Sequence, residues 1–260
     1  MKQPSSLRDL IAAPEILVVP GVFDAFSAVS AQMAGFRAVF VSGSALASMH
    51  LAQPDIGLLT LTETADIVGR IAERLNIPLL VDADQGFGNA LSVARAVHLL
   101  ERSGAAGIQI EDQLETKPAW APLSRPLVDP DVMVGKIKAA LDSRRNAATV
   151  ISARSDAVST EGFDRALERA HLYADAGADM VFVESLTSHA EMARLAGELG
   201  SKVPLLHNLL RIEDEVRDAA TAESIGYSVA LFPATAVSAV REALVKAFLS
   251  LRVAPRIPGT

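Results

Sequence analysis

The sequence contains no cysteine among its 260 residues, which excludes disulfide bonds, thiolate metal sites and a cysteine nucleophile. It has no apolar run of the roughly 18 residues that a membrane-spanning helix needs, and its first residues lack the apolar core of a secretory signal peptide. The 24 Lys and Arg residues are outnumbered by 31 Asp and Glu residues and form no basic cluster. We therefore expect a cytoplasmic protein that binds neither membranes nor nucleic acids.

Eight short apolar runs alternate with stretches that have the periodicity of amphipathic helices, as in residues 91–104 and 163–177. Runs of this length, rich in Val, Ile and Leu, are typical of buried parallel strands. They cover residues 17–21, 38–43, 78–84, 107–112, 149–156, 179–185, 204–209 and 228–233.

Glycine follows three of the predicted helices, at Gly35, Gly104 and Gly177. These positions mark helix ends, because glycine adopts the left-handed terminating conformation without steric cost. Eight strand and helix units in 260 residues favour an α/β fold with a single (β/α)8 TIM barrel over an open doubly wound sheet. We expect one domain, with its core over about residues 16–250. The sequence pattern is weakest for the seventh unit, because residues 211–226 must supply the entire connection between two strands.

Polar residues collect at the carboxyl ends of the apolar runs, whereas the starts of the runs are mostly apolar or small. Because all strands of a parallel barrel end on one face, these side chains are expected in one mouth, which is the predicted active site. They are Asp24, Ser42, Ser44, Asp82, Asp84, Glu111, Asp112, Arg154, Asp156, Glu184, His207 and Asn208.

Asp82 and Asp84 end the third run, and residues two apart on a strand point the same way. Two carboxylates this close repel unless a cation or a shared proton lies between them. Mg²⁺, with Mn²⁺ as an alternative, suits such oxygen ligands. Glu111 ends the next run and could hold a metal-bound water. An isolated pair of this kind also occurs in ordinary loops, but the combination with Glu111 favours a metal site.

Six segments, in this order and spacing, resemble the isocitrate lyase/phosphoenolpyruvate mutase superfamily over about residues 20–233. They are VSGSALA, PDIGLLTLTE, LLVDADQGFGN, AGIQIEDQ, ISARSDA and AGADMVFVES. The resemblance implies a Mg²⁺-dependent barrel that cleaves or forms bonds next to a pyruvate enolate. It also implies a homotetramer of paired dimers that swap their last helix, for which the apolar segment 237–255 is suited.

The resemblance also implies roles for individual residues. Asp55, Asp82, Asp84 and Glu111 would form the metal shell, with Asp84 as the expected direct ligand. Arg154 would hold a substrate carboxylate and the enolate oxygen, and Arg154, Glu111 and Asp55 are the catalytic candidates. Ser42, Gly43 and Ser44 would bind the pyruvyl carboxylate of the substrate. Glu184 and Asn208 would bind its distal carboxylate.

Two further residues are candidates for substrate binding. His207 ends the seventh run beside Asn208 and is interpreted as a substrate contact or, equally, as a packing residue. Gln85 could orient a substrate oxygen. For Asp24 we favour a helix-capping role. The remaining histidines, at positions 50, 98, 171 and 189, lack a carboxylate partner at metal spacing and are interpreted as packing or surface residues.

The chain departs from the lyases of this superfamily in the segment after the fourth run. Those lyases carry Lys-(Lys/Arg)-Cys-Gly-His, whose cysteine acts as the acid and base; here Lys117 matches the lysine, but Ala119 replaces the cysteine and Ala121 the histidine. A methyl group cannot transfer a proton. The asparagine-bearing stretch of the phosphonate enzymes is also missing. Trp120 lies between two prolines, and we interpret the stretch as a fixed cover.

Three functions remain. The first is a Mg²⁺-dependent decarboxylase of a 2-oxo dicarboxylate, similar to the oxaloacetate decarboxylase branch, which needs no cysteine and shares the run from Asp82 to Leu91 but usually has His in place of Gln85. The second is a lyase similar to those of methylisocitrate or dimethylmalate, with an acid other than cysteine. The third is a catalytically silent barrel that binds a dicarboxylate.

Overall fold

The backbone forms eight short parallel strands. The computed structural model of the protein describes residues 6–114 and 125–253. The strands are β1 (Leu17–Val22), β2 (Val39–Val41), β3 (Leu79–Asp82), β4 (Gly107–Glu111), β5 (Val150–Ser155), β6 (Met180–Val183), β7 (Leu205–Asn208) and β8 (Val229–Phe232).

Helices follow the strands and cover the outside of the barrel. A π-helix, Ala47–Leu51, continues directly from the third of them. The α-helices are α1 (Leu7–Ile11), α2 (Ala25–Met33), α3 (Gly43–Leu46), α4 (Leu61–Ala72), α5 (Ala90–Arg102), α6 (Pro130–Ser143), α7 (Val158–Glu161), α8 (Phe163–Asp175), α9 (His189–Leu199), α10 (Ala219–Ile225) and α11 (Thr235–Val253).

The sheet is a closed barrel in which each strand lies beside its neighbours in sequence. β8 pairs with β1, with Val229 beside Leu17, and this pairing excludes the open sheet. Every predicted run overlaps one strand, so the predicted TIM barrel is confirmed. The crossover between β7 and β8 has only the seven-residue helix α10, in line with its weak sequence pattern.

The core has two layers. One fills the barrel and includes Leu17, Phe40 and Phe182; the other lies between the strands and the surrounding helices. Helix α1 adds Leu7 to the inner layer and was not expected from the sequence. A methyl group on Gly107 would lie 2.6 Å from Leu7, so α1 lies against the start of β4.

The helix ends predicted from local sequence signals are confirmed. Gly35, Gly104 and Gly177 all have left-handed φ angles, between 92° and 99°. Asp24 caps α2, because its side chain accepts a hydrogen bond from the backbone N–H of Ser27 at 2.7 Å.

The last helix, α11, has no buried side chain along its 19 residues. Its exposed apolar residues include Leu244, Val245, Phe248 and Leu249. Among the helices that the structure describes, none combines the length and the apolar character needed to cross a bilayer.

Candidate active site

A cavity of about 440 Å³ opens at the carboxyl ends of the strands. We call it the mouth cavity. Its floor is apolar and consists of Phe40, Phe182 and Leu231 from the barrel interior. Its wall is largely polar, as expected for a site that orients a small polar ligand. The wall includes Ser42, Ser44, Asp55, Asp82, Gln109, Arg125, Arg154, Asp156, Glu184, Asn208 and Arg211.

Arg154, near the end of β5, lies among three carboxylates. Its Nε and Nη2 donate to the two carboxylate oxygens of Asp156 at 3.0 and 2.8 Å. Its nitrogens also lie 3.3 Å from Glu184 and 3.4 Å from Glu111, and its guanidinium is 5.2 Å from the centre of the Phe182 ring. Burial acts to lower the pKa of Arg154, but the three carboxylates raise it well above its ordinary value. The group therefore stays a cation.

The carboxylates around Arg154 are themselves held in place. Asn208 donates from its side-chain nitrogen to Glu184 Oε2 at 3.2 Å. Burial acts to raise the pKa of Asp156, but the charge of Arg154 and its hydrogen bonds keep that pKa below its ordinary value. Asp156 is therefore ionised near neutral pH. The predicted residues Arg154, Glu111, Glu184 and Asn208 thus form one connected cluster.

Ser42 caps helix α3 after β2, and Gly43 and Ser44 begin that helix beside Asp82. The two serine hydroxyl oxygens are 3.1 Å apart, and the N–H of Gly43 donates to Asp82 Oδ2 at 3.3 Å. A methyl group on Gly43 would lie 3.2 Å from that same oxygen, so glycine permits the close approach. The hydroxyls and the Asp82 carboxylate therefore face one cavity.

Asp84 does not share the side of the sheet that Asp82 occupies. The strand ends at Asp82, and Asp84 has a left-handed φ of 47°. Its N–H turns back to donate to Asp82 Oδ1 at 3.2 Å. Asp84 lines a neighbouring depression of about 430 Å³ with Thr60 and Arg95 instead of the mouth cavity. The expectation that both side chains point the same way is wrong, because the two-residue period applies only while the strand continues.

The residues on the mouth cavity could hold a magnesium ion, for which Asp55 and Asp82 would be the carboxylate ligands. Mg²⁺ binds one or two carboxylates and completes its shell with water and ligand oxygens. Within residues 6–114 and 125–253, no three His, Asp or Glu side chains form a ready-made ligand set. Carboxylates outnumber arginines on the described wall, four to three, and Glu111 lies behind Arg154. This negative excess favours a bound cation.

His207 lies outside the mouth cavity. His207 and Asn208 are adjacent in β7, so their side chains point to opposite faces of the strand. The His207 ring packs edge-on against Tyr227, with ring centres 5.6 Å apart. The side chain is 2% exposed, and burial lowers the pKa of His207 to about 4. Of the two interpretations of this residue, the geometry supports packing rather than substrate contact.

Gln85 and the remaining histidines also lie away from the mouth cavity. Gln85 lines the same depression as Asp84, and its carbonyl accepts from Lys136 Nζ at 3.0 Å. His50 contacts the carbonyl of Phe23 at 3.0 Å, as a packing residue would. His171 does have a carboxylate neighbour, Glu198 at 2.9 Å, but the two lie on the exposed surface of α8 and α9.

Asp112, which the sequence placed in the mouth, is fully buried behind it. One carboxylate oxygen accepts from the N–H of Asp156 at 2.9 Å. The other accepts from Ser155 Oγ and Tyr173 Oη, both at 2.8 Å, and lies 3.4 Å from Arg169. Burial raises the pKa of Asp112. Asp112 therefore anchors the end of β5 rather than contacting a ligand.

The unpredicted residues of the wall include Gln109, Arg125 and Arg211. Gln109 lies inside β4 rather than at its end, so it is not among the polar residues that end the predicted strands. Arg211 follows Asn208 by three residues, and this position just beyond the seventh strand is the sequence signal for it. Arg125 follows a stretch without helix or strand periodicity and carries no sequence signal.

The chain enters and leaves residues 115–124 through two adjoining stems. Gln113 and Leu127 form an antiparallel bridge, and the N–H of Leu114 donates to the carbonyl of Pro126 at 2.8 Å. The expectations for Lys117, Ala119, Trp120 and Ala121 fall outside the described residues.

Several known proteins are similar to this chain in sequence or in structure. The phosphoenolpyruvate phosphomutase family model matches residues 7–249. A 2,3-dimethylmalate lyase of Eubacterium barkeri is 37% identical, covering 97% of this chain and 87% of the relative. A 2-methylisocitrate lyase of Aeropyrum pernix is 43% identical, covering 88% and 73%. A crystal structure of phosphonopyruvate hydrolase with oxalate and Mg²⁺ superimposes with a TM-score of 0.88 at 27% identity, covering 99% of this chain and 89% of that one.

Proposed function

Because the chain belongs to the phosphoenolpyruvate mutase/isocitrate lyase superfamily, we propose that it is a Mg²⁺-dependent carbon-carbon lyase. Its substrate is a 2-oxo or 2-hydroxy dicarboxylate, and the reaction passes through a pyruvate enolate. The observation that carries this proposal is the convergence of Ser42, Asp82 and Arg154 on one cavity. Hydroxyls, a carboxylate and a permanent cation are the groups that bind and stabilise an oxo acid as negative charge develops on its oxygen.

Each residue has a chemical task in this proposal. Ser42 and Ser44 bind the carboxylate next to the oxo group, and Asp55 and Asp82 hold the metal. Bound Mg²⁺ would supply Lewis-acid stabilisation of the developing negative charge. Arg154 adds a fixed positive charge, which its carboxylate partners orient before the substrate arrives.

The favoured reaction is decarboxylation, as in an oxaloacetate decarboxylase. Its support is that the 260-residue chain has no cysteine, so a thiol cannot protonate the product carbon. Loss of CO₂ leaves an enolate that water can protonate. This route therefore needs no acidic side chain in the segment after β4.

A second candidate is cleavage of a 2,3-substituted malate. The contact between Glu184 and Asn208 supports it, because the resemblance to methylisocitrate lyases implies that these two residues bind the distal carboxylate. The identities of 37% and 43% to lyases of such substrates point the same way.

Product analysis tests both candidates. Protein with Mg²⁺ is incubated separately with oxaloacetate, 2,3-dimethylmalate and 2-methylisocitrate, and pyruvate is quantified against the metal-catalysed background. Turnover of oxaloacetate that chelation abolishes supports the decarboxylase; cleavage of either malate derivative selects the second candidate. Binding of oxalate with Mg²⁺ but no turnover of any substrate would select the silent barrel.

We further propose a homotetramer of helix-swapped dimers. Leu244, Val245, Phe248 and Leu249 recur on one side of α11 and are between 46% and 64% exposed. A second copy of the chain can bury this surface. Phe248→Glu should then yield a smaller species in light scattering, whereas an unchanged mass would contradict this assembly.

A further inference from the structure

The cations of the mouth cavity are not equally available to a substrate. Arg154 lies within 3.4 Å of Asp156, Glu184 and Glu111. One guanidinium charge is therefore already shared by three carboxylates. Arg154 can stabilise one further anionic group next to a bound metal. Its attraction for a second substrate carboxylate is weak, because its three carboxylate neighbours largely cancel its positive charge.

Arg125 is differently placed. It lines the same cavity and is half-buried, and among the described residues no carboxylate oxygen lies within the 4.0 Å of an ion pair. Its Nη1 donates to Gln113 Oε1 at 3.0 Å, and Gln113 is 1% exposed. One edge of the guanidinium is thus held by a neutral, buried partner while its positive charge faces the cavity.

We propose that Arg125 binds the second carboxylate of the substrate and so selects dicarboxylates over 2-oxo monoacids. Gln113 is its positioning residue. A planar guanidinium held along one edge retains donors for a two-point contact with a carboxylate. This inference rests on the proposed function, because it assumes a dicarboxylate in the mouth cavity.

Arg211 is the natural control. It lines the same cavity but is exposed, and no hydrogen bond to a described residue holds its side chain. Removal of Arg211 changes the net charge of the cavity as much as removal of Arg125 does. A difference between the two variants therefore separates a direct contact from a general electrostatic effect.

The experiment measures dissociation constants by calorimetry with Mg²⁺ present. Oxalate is a two-carbon ligand that reaches only the metal, Ser42, Ser44 and Arg154, whereas 3,3-difluorooxaloacetate carries an additional, distal carboxylate. Arg125→Gln should weaken difluorooxaloacetate at least tenfold and oxalate less than twofold. Arg125→Lys should recover part of the loss, and Arg211→Gln should weaken both ligands by the same small factor.

Two results would overturn the inference. Equal weakening of both ligands by Arg125→Gln would assign Arg125 a general electrostatic role, and no weakening would show that it does not touch the ligand. Failure of the unaltered protein to bind oxalate with Mg²⁺ would instead overturn the proposed function, and this inference with it. Thermal unfolding of each variant confirms that it is folded.

Discussion

Arg154 and Asp156, two residues apart at the end of β5, are joined by two parallel hydrogen bonds of 3.0 and 2.8 Å. This geometry fixes the plane of the guanidinium, because both its Nε and one terminal nitrogen are held. The arginine is thereby oriented without a ligand, as a charge-stabilising group in an active site should be.

Asp156→Asn should therefore lower both activity and stability. The amide keeps the shape of the side chain but loses one charge-assisted hydrogen bond, and we expect kcat/KM to fall by roughly tenfold to a hundredfold. Urea unfolding should show a loss of about 1 to 3 kcal/mol. The control is Asp164→Asn, which breaks the exposed pair with Arg194 and should leave both quantities unchanged. Equal effects of the two variants would refute a special role for Asp156.

Asp82 and Asp84 should differ in metal binding. Asp82 faces the mouth cavity, whereas Asp84 donates its backbone N–H to Asp82 and lines the neighbouring depression. Calorimetric titration of Mg²⁺ in the presence of oxalate should show roughly a hundredfold weaker binding for Asp82→Asn and about tenfold or less for Asp84→Asn. The reverse order would restore Asp84 as the direct ligand that the sequence suggested.

The two tyrosines of the chain provide a matched test of the buried network behind the site. Tyr173 donates to Asp112 at 2.8 Å, whereas the hydroxyl of Tyr227 has no hydrogen-bond partner among the described residues. Tyr173→Phe leaves a buried carboxylate short of one donor and should cost about 1 to 3 kcal/mol in the free energy of unfolding. Tyr227→Phe should cost much less, and equal losses would contradict the role assigned to Tyr173.

His207 should make the protein less stable in mild acid. Burial lowers its pKa from 6.5 to about 4. Between these values the unfolded chain binds a proton that the folded chain does not, so stability falls as the pH drops from 6.5 towards 4. The full effect is about 3 kcal/mol. Denaturant unfolding at pH 7 and pH 4.5 should show a smaller loss for His207→Phe than for the unaltered protein. The exposed His189→Gln variant should keep the original pH dependence.

Gly21 should tolerate no side chain. A methyl group there would lie 2.2 Å from the carbonyl oxygen of Pro233, where β1 adjoins the segment after β8. Because the Pro233 carbonyl is part of the backbone, it cannot rotate away from the methyl group. We therefore expect Gly21→Ala to lower the free energy of unfolding by roughly 3 kcal/mol or more. Gly135→Ala, on the exposed side of α6 with nothing within 4 Å, should instead stabilise by about 0.5 to 1 kcal/mol. Melting temperatures of the two variants decide the matter.

The barrel could be predicted because its signals are local and repeated. Each strand of a parallel barrel is buried on both faces, so it appears as a continuous apolar run, and a glycine then marks the end of many helices. Helix α1 was missed because five residues are too few to show a period. Its capping box, Ser6 with Asp9, was the signal that could have revealed it.

The site could be predicted only as far as the strands extend. Asp84 was misplaced because no sequence pattern shows that β3 ends at Asp82. His207, by contrast, could have been assigned correctly, since the alternation along β7 that puts Asn208 in the mouth puts His207 behind it. Arg125 enters the cavity from a segment with no periodic pattern. Only the folded chain shows that Gln113 directs it there.

The paired stems at Leu114 and Pro126 have a consequence for stability. Their hydrogen bond holds the two ends of the intervening ten residues together, so a change in the length of that insert adds little to the entropy of closing the loop. A relative's segment grafted between these stems is therefore expected to leave the melting temperature of the barrel nearly unchanged.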